Sequence, residues 1–211
     1  MGFRWKIAQY LERRWWKNFL SKKDPKQYLA WKRAYWHQFL KDVESAVPKD
    51  QRVLDAGCGP AGIFTILEGN EVIAIDPLLS SYEEFSAFRP EEAPWTQFEQ
   101  SLLEDFSALN FNIIKCTNAI NHVRDLSRGF TKLLDLLEPG GELFVSTDCH
   151  KFSLFKHLFR FTQLDVLHPH QFDEQEYGEQ ILEAGGAIEK SFILGGDLFF
   201  RYVVFKVRKP E

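Results

Sequence analysis

Little in this chain suits an oxidising compartment or the interior of a bilayer. Its 211 residues include three cysteines, Cys58, Cys116 and Cys149, odd in number and far apart. That spacing makes neither a disulfide framework nor a zinc site, and it fits a reducing cytoplasm. No apolar run reaches the roughly 18 residues that a spanning helix needs. The amino-terminal stretch carries a charge every few residues, so it is not expected to be a secretory leader. Internal repeats and low-complexity tracts are also lacking, which excludes repeat architectures and biased linkers.

What is present is a full core and an uneven charge. The apolar fraction, 45%, suits one globular domain with an extension. The net charge of -4 argues against a general nucleic-acid binder. Residues 1–36 nevertheless hold ten Lys/Arg against Glu12 and Asp24, a net of +8, which leaves the remainder at -12. A basic arm rich in tryptophan (Trp5, Trp15, Trp16, Trp31, Trp36) therefore precedes an acidic body.

The informative stretch is Val53-Leu54-Asp55-Ala56-Gly57-Cys58-Gly59-Pro60-Ala61-Gly62. It reads as a buried strand that ends in a glycine turn. Gly57 and Gly59 allow backbone conformations that a Cβ resists, and they let the main chain approach a ligand. A second acid, Asp76, ends the next apolar run, 19 residues after Gly57. A glycine turn followed by an acid about 20 residues on is the pattern of a nucleoside held by its ribose hydroxyls. Gly57, Gly59 and Gly62 also satisfy G-x-G-x-x-G, so a dinucleotide site is the alternative. Asp55 weighs against it, because a carboxylate before the first glycine repels a pyrophosphate and suits a cofactor with an amine and a sulfonium.

With Asp55-Ala56-Gly57-Cys58-Gly59-Pro60 and Asp76, the chain resembles the class I S-adenosylmethionine-dependent methyltransferases. The string Leu136-Leu137-Glu138-Pro139-Gly140-Gly141-Glu142-Leu143, a helix stop before an apolar strand, is a further mark of that family. The resemblance covers roughly residues 52–207. It implies an α/β fold: a Rossmann-like, doubly wound, seven-stranded sheet, mostly parallel with an antiparallel edge strand, plus an N-terminal helical extension.

The chain reads in that order. Helices are expected over 3–20, with Ile7, Leu11 and Trp15 as its apolar stripe, and over about 25–46, with Asp24 as N-cap, Pro25 at the first position and a stripe of Tyr28, Trp31, Tyr35, Phe39 and Val43. Strands are expected at 52–55, 71–76, near 95–98, 111–116, 142–147, 187–194 and 198–207, with helices at 61–67, 82–88, 126–137 and 174–183. Residues 1–47 form the arm or lid and 48–211 the cofactor-binding domain. Within it, 148–172 is longer than a connection needs and is read as an acceptor-side insertion with a short aromatic helix.

By resemblance, Asp55, Gly57, Cys58, Gly59, Asp76, Pro77, Leu103, Glu104, Asp105, Thr117 and Asn118 are the cofactor-binding candidates. Asp76 takes the ribose hydroxyls, and Asp105 or Glu104 reaches the adenine amino group. Tyr28, Trp31, Lys32 and Tyr35 wall the acceptor pocket if the arm is a lid; packing is the first reading of that stripe and a membrane-surface contact the third. His122, His150, His168 and His170 are the candidate bases, since imidazole titrates near neutral pH. His150, His168 and His170 with Cys149 or Asp148 are of metal-ligand type, but the intervening loop is long and no metal is expected. Asn112 stands where relatives commonly carry Asp and is given no catalytic role.

The resemblance implies methyl transfer from S-adenosylmethionine to a small molecule, without an Asn/Asp-Pro-Pro-aromatic motif for adenine. A silent cofactor-binding partner and an NAD(P) oxidoreductase are the alternatives. Oligomeric state is open.

Overall fold

The computed structural model describes residues 3–108, 110–151 and 172–211. The expected aromatic helix inside 148–172, with His157, His168 and His170, lies outside the described residues.

A seven-stranded sheet runs through the molecule. Its strands are β1 (Arg52–Ala56), β2 (Glu71–Ile75), β3 (Thr96–Glu99), β4 (Phe111–Thr117), β5 (Leu137–His150), β6 (Ala187–Gly196) and β7 (Phe200–Arg208). Their order is β3-β2-β1-β4-β5-β7-β6. The first five pair in parallel, and β7 runs against both β5 and β6. The order reverses between β1 and β4, which opens a crevice at their carboxyl ends.

Side-chain alternation splits the core in two. Leu54, Ile73, Ile75, Ile114 and Val203 face one layer, formed by α4 (Leu126–Leu136) and α5 (Glu174–Glu183). Val53, Val72, Ala74, Ile113 and Val204 face the other. That second layer comes largely from the arm: α1 (Phe3–Leu20) and α2 (Pro25–Asp42). Asp24 caps α2 by accepting the Gln27 N–H at 2.9 Å, with Pro25 in the first turn. Asp125 caps α4 the same way, and Asp173 with Glu176 makes a capping box on α5. Leu29, Trp36 and Phe39 of α2 are buried against the sheet. At about 1.5–3 kcal/mol for each large apolar side chain fully buried, α2 is a structural layer of the core.

Several elements depart from the sequence reading. The helix expected over 61–67 is a single 3₁₀ turn, Ile63–Ile66. The stretch is short, and its backbone groups are taken by side chains from elsewhere. The Phe64 N–H is accepted by Asp55 Oδ2, while the Ala61 and Phe64 carbonyls accept the indole N–H groups of Trp36 and Trp95. The helix expected at 82–88 forms earlier, as α3 (Leu79–Tyr82). Strand β5 begins at Leu137, directly at the end of α4, because Leu137 already pairs with Phe111, and the Pro-Gly-Gly segment falls in the register shift before Glu142 meets Ile113.

The apolar stripe of α1 is also turned. Leu11 and Trp15 face solvent, at 37% and 51% exposure, and the inner face is Glu12, Trp16, Phe19 and Leu20. In α2, Trp31 is 57% exposed and Tyr35 36%, while Tyr28, Leu29, Trp36 and Phe39 turn inward. A helix with rings on most sides has no single apolar face, so the fit to the sheet chooses one.

Lys115 lies inside the arm-facing layer. Its ammonium bonds Ser45 Oγ, just past α2, at 2.6 Å and sits 3.3 Å from the Phe144 ring centroid. Burial holds this amine well below the ordinary lysine range, opposed by the charge of Glu142.

Candidate functional site

A cavity of about 390 Å³ opens at the carboxyl ends of β1, β2 and β4 and is walled on one side by the arm. Its base is the turn after β1. Gly57 has φ +73° and Gly59 φ +58°. A Cβ on Gly57 would come within 2.3 Å of Ala119 Cβ, so only glycine lets the β1 and β4 turns meet.

The amides of this turn are already committed. Those of Gly57 and Cys58 donate to the Ile75 carbonyl at 2.8 and 3.1 Å, and that of Gly59 donates to Asp76 Oδ2 at 3.0 Å. The turn is thus tied to β2. It lacks both the N–H cradle and the long following helix with which a glycine turn grips a pyrophosphate.

Asp76 lines the cavity, and its Oδ1 accepts the Leu78 N–H at 2.8 Å. Each oxygen therefore has one main-chain donor, and together the two are the acceptor pair a vicinal diol requires. Burial pushes the Asp76 carboxyl up to about 6, and the Leu78 and Gly59 N–H groups pull it back.

Asp55 sits behind the turn, outside the cavity wall and fully buried. Its Oδ2 accepts the Phe64 N–H at 3.0 Å, and its Oδ1 has no hydrogen-bond partner among the described residues. Burial raises it to about 7, with the Asp76 charge adding, while the Phe64 N–H and the Lys32 ammonium pull it down. Lys32, in the arm wall, is lowered by burial to about 8 and held up by Asp55. A buried carboxylate behind the turn and an amine in the cavity wall complement a ligand that carries both charges.

The other cofactor candidates divide. Cys58, Pro77, Leu103, Glu104, Thr117 and Asn118 line the cavity. Glu104 is 4% exposed, and its Oε1 accepts the Arg124 N–H at 2.7 Å. Asp105 is turned out of the cavity and pairs with Arg124 at 2.8 Å, because its 3₁₀ turn points successive side chains in different directions. Asn118 is held at φ +52° by its N–H bonds to the Ser146 carbonyl and Oγ.

Of the acceptor and base candidates, Tyr28, Lys32, Tyr35 and His122 line the cavity, whereas Trp31 and His150 do not. His150 is buried beneath Phe200, in a bridge with Asp173. His168 and His170 lie outside the described residues. His122 Nδ1 is 4.0 Å from Glu12 Oε2, a carboxylate delivered by α1.

Sequence reasoning missed Glu12, Gln9 and Trp16 of the arm and Tyr202 of β7, and it gave Asp148 of β5 only a metal-ligand type. The Tyr202 hydroxyl is 2.7 Å from Ser146 Oγ, which ties it to the Asn118 turn. Asp148 lies near the carboxyl end of β5, where ligands of such sheets bind, a usable signal; Tyr202 is placed opposite it by antiparallel pairing and had none. Asn112 is at the far end of β4, where its side chain accepts the Arg52 N–H at 2.7 Å and donates to Glu138. Its substitution does not touch the cavity.

Comparison with known proteins bears on the family and the fold. The methyltransferase domain family matches residues 26–191. The ubiquinone biosynthesis O-methyltransferase of Rickettsia canadensis is 31% identical over 98 residues, 45% of this chain and 42% of the relative. The match thus spans less than half of that curated relative. The Haemonchus contortus phosphoethanolamine N-methyltransferase 2, solved with S-adenosyl-L-methionine, superposes with a TM-score of 0.65 at 14% identity, over 83% of this chain and 53% of that one. The Streptomyces coelicolor geranyl diphosphate C-methyltransferase, solved with Mg2+, geranyl diphosphate and S-adenosyl-L-homocysteine, superposes with a TM-score of 0.64 at 15% identity, over 83% and 79%. These three relatives are named for methylation of oxygen, nitrogen and carbon, so the shared fold leaves the acceptor atom undecided.

Proposed function

This chain belongs to the class I S-adenosylmethionine-dependent methyltransferases, and from that premise we propose that it transfers a methyl group to a hydroxyl of a small-molecule acceptor. The observation that carries the reading is the pairing of two features in one cavity. Asp76 offers two acceptor oxygens beside a glycine turn, and His122 stands beside Glu12 on the opposite, arm-bearing side.

Asp76 would hold the ribose diol, and Glu104 with Leu103 would border the adenine. Lys32 would pair with the cofactor's carboxylate, while Asp55 biases that end of the cavity toward its cationic groups from behind the turn. When bound, S-adenosylmethionine supplies an electrophilic methyl carbon on a sulfonium. The chain's task is then to align the acceptor, exclude water and remove a proton; positioning of this kind is worth roughly 7–11 kcal/mol in favourable cases. Trp16, Tyr28 and Tyr35 close the cavity on the arm side. Tyr202 and Asn118, fixed through Ser146, orient the acceptor. Nε2 of His122 takes the hydroxyl proton, and the Glu12 carboxylate near Nδ1 keeps the ring turned toward it and stabilises the imidazolium.

Agreement with the O-methyltransferase relatives supports the choice of oxygen. The committed amides of Gly57, Cys58 and Gly59 weigh against an NAD(P) oxidoreductase. Parallel calorimetric titration with S-adenosylmethionine, S-adenosylhomocysteine and NAD(H) tests the cofactor. A screen of hydroxylated small molecules, read as S-adenosylhomocysteine formed, tests the transfer. Binding of NAD(H) alone would overturn the reading, and turnover only on amines would move the acceptor to nitrogen.

A further inference from the structure

We propose that the outer face of α1, continued by Trp31 of α2, docks on an anionic lipid bilayer and holds the protein at its surface. Five of the eight large hydrophobic side chains exposed among the described residues, Tyr10, Leu11, Trp15, Trp31 and Tyr35, fall on these two helices. They are not surplus core waiting for a place. The inner face of α1 is already filled by Trp16, Phe19 and Leu20 against the body, with Trp16 edge-on to Tyr82.

The exposed rings are joined. Trp15 stacks on Phe19 at 5.0 Å, Phe19 meets Tyr28 at 6.1 Å, Tyr28 meets Trp31 at 5.9 Å and Trp31 meets Tyr35 at 6.1 Å. This ladder crosses from one helix to the other and ends on Tyr28 and Tyr35, which line the cavity. A surface bound to the ladder lies beside the arm wall of the site.

Charge complementarity names the partner. Arg14, Lys17, Lys22, Lys23 and Lys26 are all exposed on α1, on the turn after it or at the start of α2. Lys23 sits 5.1 Å over the Phe19 ring. The arm's net +8 would be drawn to an anionic surface while the body's -12 is repelled, which fixes the orientation. Amphipathic ring systems beside lysines are the composition of an interfacial helix. A polynucleotide would satisfy the cations but leave aliphatic Leu11 in water. No described helix is long and apolar enough to cross a membrane, so the contact is peripheral.

The test uses the whole protein with vesicles of phosphatidylcholine alone and with about a third phosphatidylglycerol. Sedimentation with the anionic vesicles only, with a blue shift of tryptophan emission, is expected. The partition coefficient should fall at least about tenfold in a Leu11→Glu/Trp15→Glu variant, and again in Arg14→Glu/Lys17→Glu or at raised salt. All four positions lie outside the cavity, so calorimetric affinity for S-adenosylmethionine should be unchanged, and that readout keeps the docking separate from the methyl-transfer reading. No sedimentation with either vesicle, or equal sedimentation by both variants and the parent, overturns the proposal. So does a stable dimer that the Leu11→Glu/Trp15→Glu change dissolves, which would make a second copy the occupant, or tighter binding to a nucleic-acid duplex than to vesicles at one salt.

Discussion

The two walls of the cavity are built by different means. The wall at β1 and β2 is a main-chain structure: Gly57, Cys58 and Gly59 commit their amides to Ile75 and Asp76, and Gly57 packs against Ala119 with no room for a Cβ. The opposite wall is made of side chains carried in by two amphipathic helices, namely Glu12, Trp16, Tyr28, Lys32 and Tyr35. A wall of backbone hydrogen bonds tolerates few sequences and suits an invariant ligand. A wall of side chains can be rewritten without disturbing the sheet, and it is where acceptor choice belongs in the proposed reading.

Substitutions can break that contrast. The largest effect is expected at His122, which the turn after β4 sets against Glu12 of the side-chain wall. His122→Ala should lower turnover by roughly 10²–10⁴ while leaving S-adenosylmethionine affinity within experimental error. Single-turnover kinetics beside calorimetry would check the split, and a matching loss of cofactor affinity would make His122 part of the cofactor's binding site instead. Next comes Asp76→Ala. It removes both diol acceptors and strands the Gly59 and Leu78 N–H groups, so cofactor affinity should fall at least about tenfold; unchanged affinity in a folded variant would remove Asp76 from the site.

The pH response sharpens the same comparison. Asp55 and Asp76 titrate near 7 and 6 in the fold, against about 4 in an unfolded chain. The ligand-free protein therefore keeps protons there that the unfolded chain has lost. That contribution to stability is full below about pH 4 and is lost as pH rises through about 6 to 7. A cationic ligand favours the ionised carboxylates, so cofactor affinity should rise over this window, and it should fall again as pH passes through about 8, where Lys32 loses the charge proposed to pair with the cofactor's carboxylate. Proton release, measured by titration in buffers of different ionisation enthalpy, should fall as pH rises and shrink in Asp55→Asn; release that grows toward alkaline pH would contradict it.

Two smaller effects concern how the arm is attached. The Lys115 amine is held below its unfolded value, so its cost to stability is present at neutral pH and relieved as pH rises toward about 10. Lys115→Met should be neutral or stabilising and should abolish that alkaline gain, as denaturant titration at two pH values would reveal. Asp24→Ala, which unties the first turn of α2, should cost about 1 kcal/mol in the same measurement with little change in cofactor affinity.

Much of this architecture is legible in the order of the residues. The glycine turn, the acid after β2 and the apolar runs of β1, β2 and β4 are local signals, and each of these strands lies within a residue or two of its expected place. The segment after β1 was misread because its helix is replaced by hydrogen bonds from Asp55, Trp36 and Trp95, the last of which arrives from 31 residues away. The arm's stripe was misread because ring-rich helices offer more than one apolar face. Asp105 was misplaced because a 3₁₀ turn rotates neighbours apart and gives the inward position to Glu104.

By itself, then, the sequence determined the parallel sheet, its glycine turn and Asp76, since strand periodicity and a backbone that needs glycine are properties of neighbouring residues. Only the tertiary structure decided that α1 brings Glu12 to His122, that Asp148 and Tyr202 share their cavity, and that Leu11 and Trp15 face outward. Those pairings join residues far apart in the chain, and they follow from which surfaces of sheet and helix exclude water best when packed together.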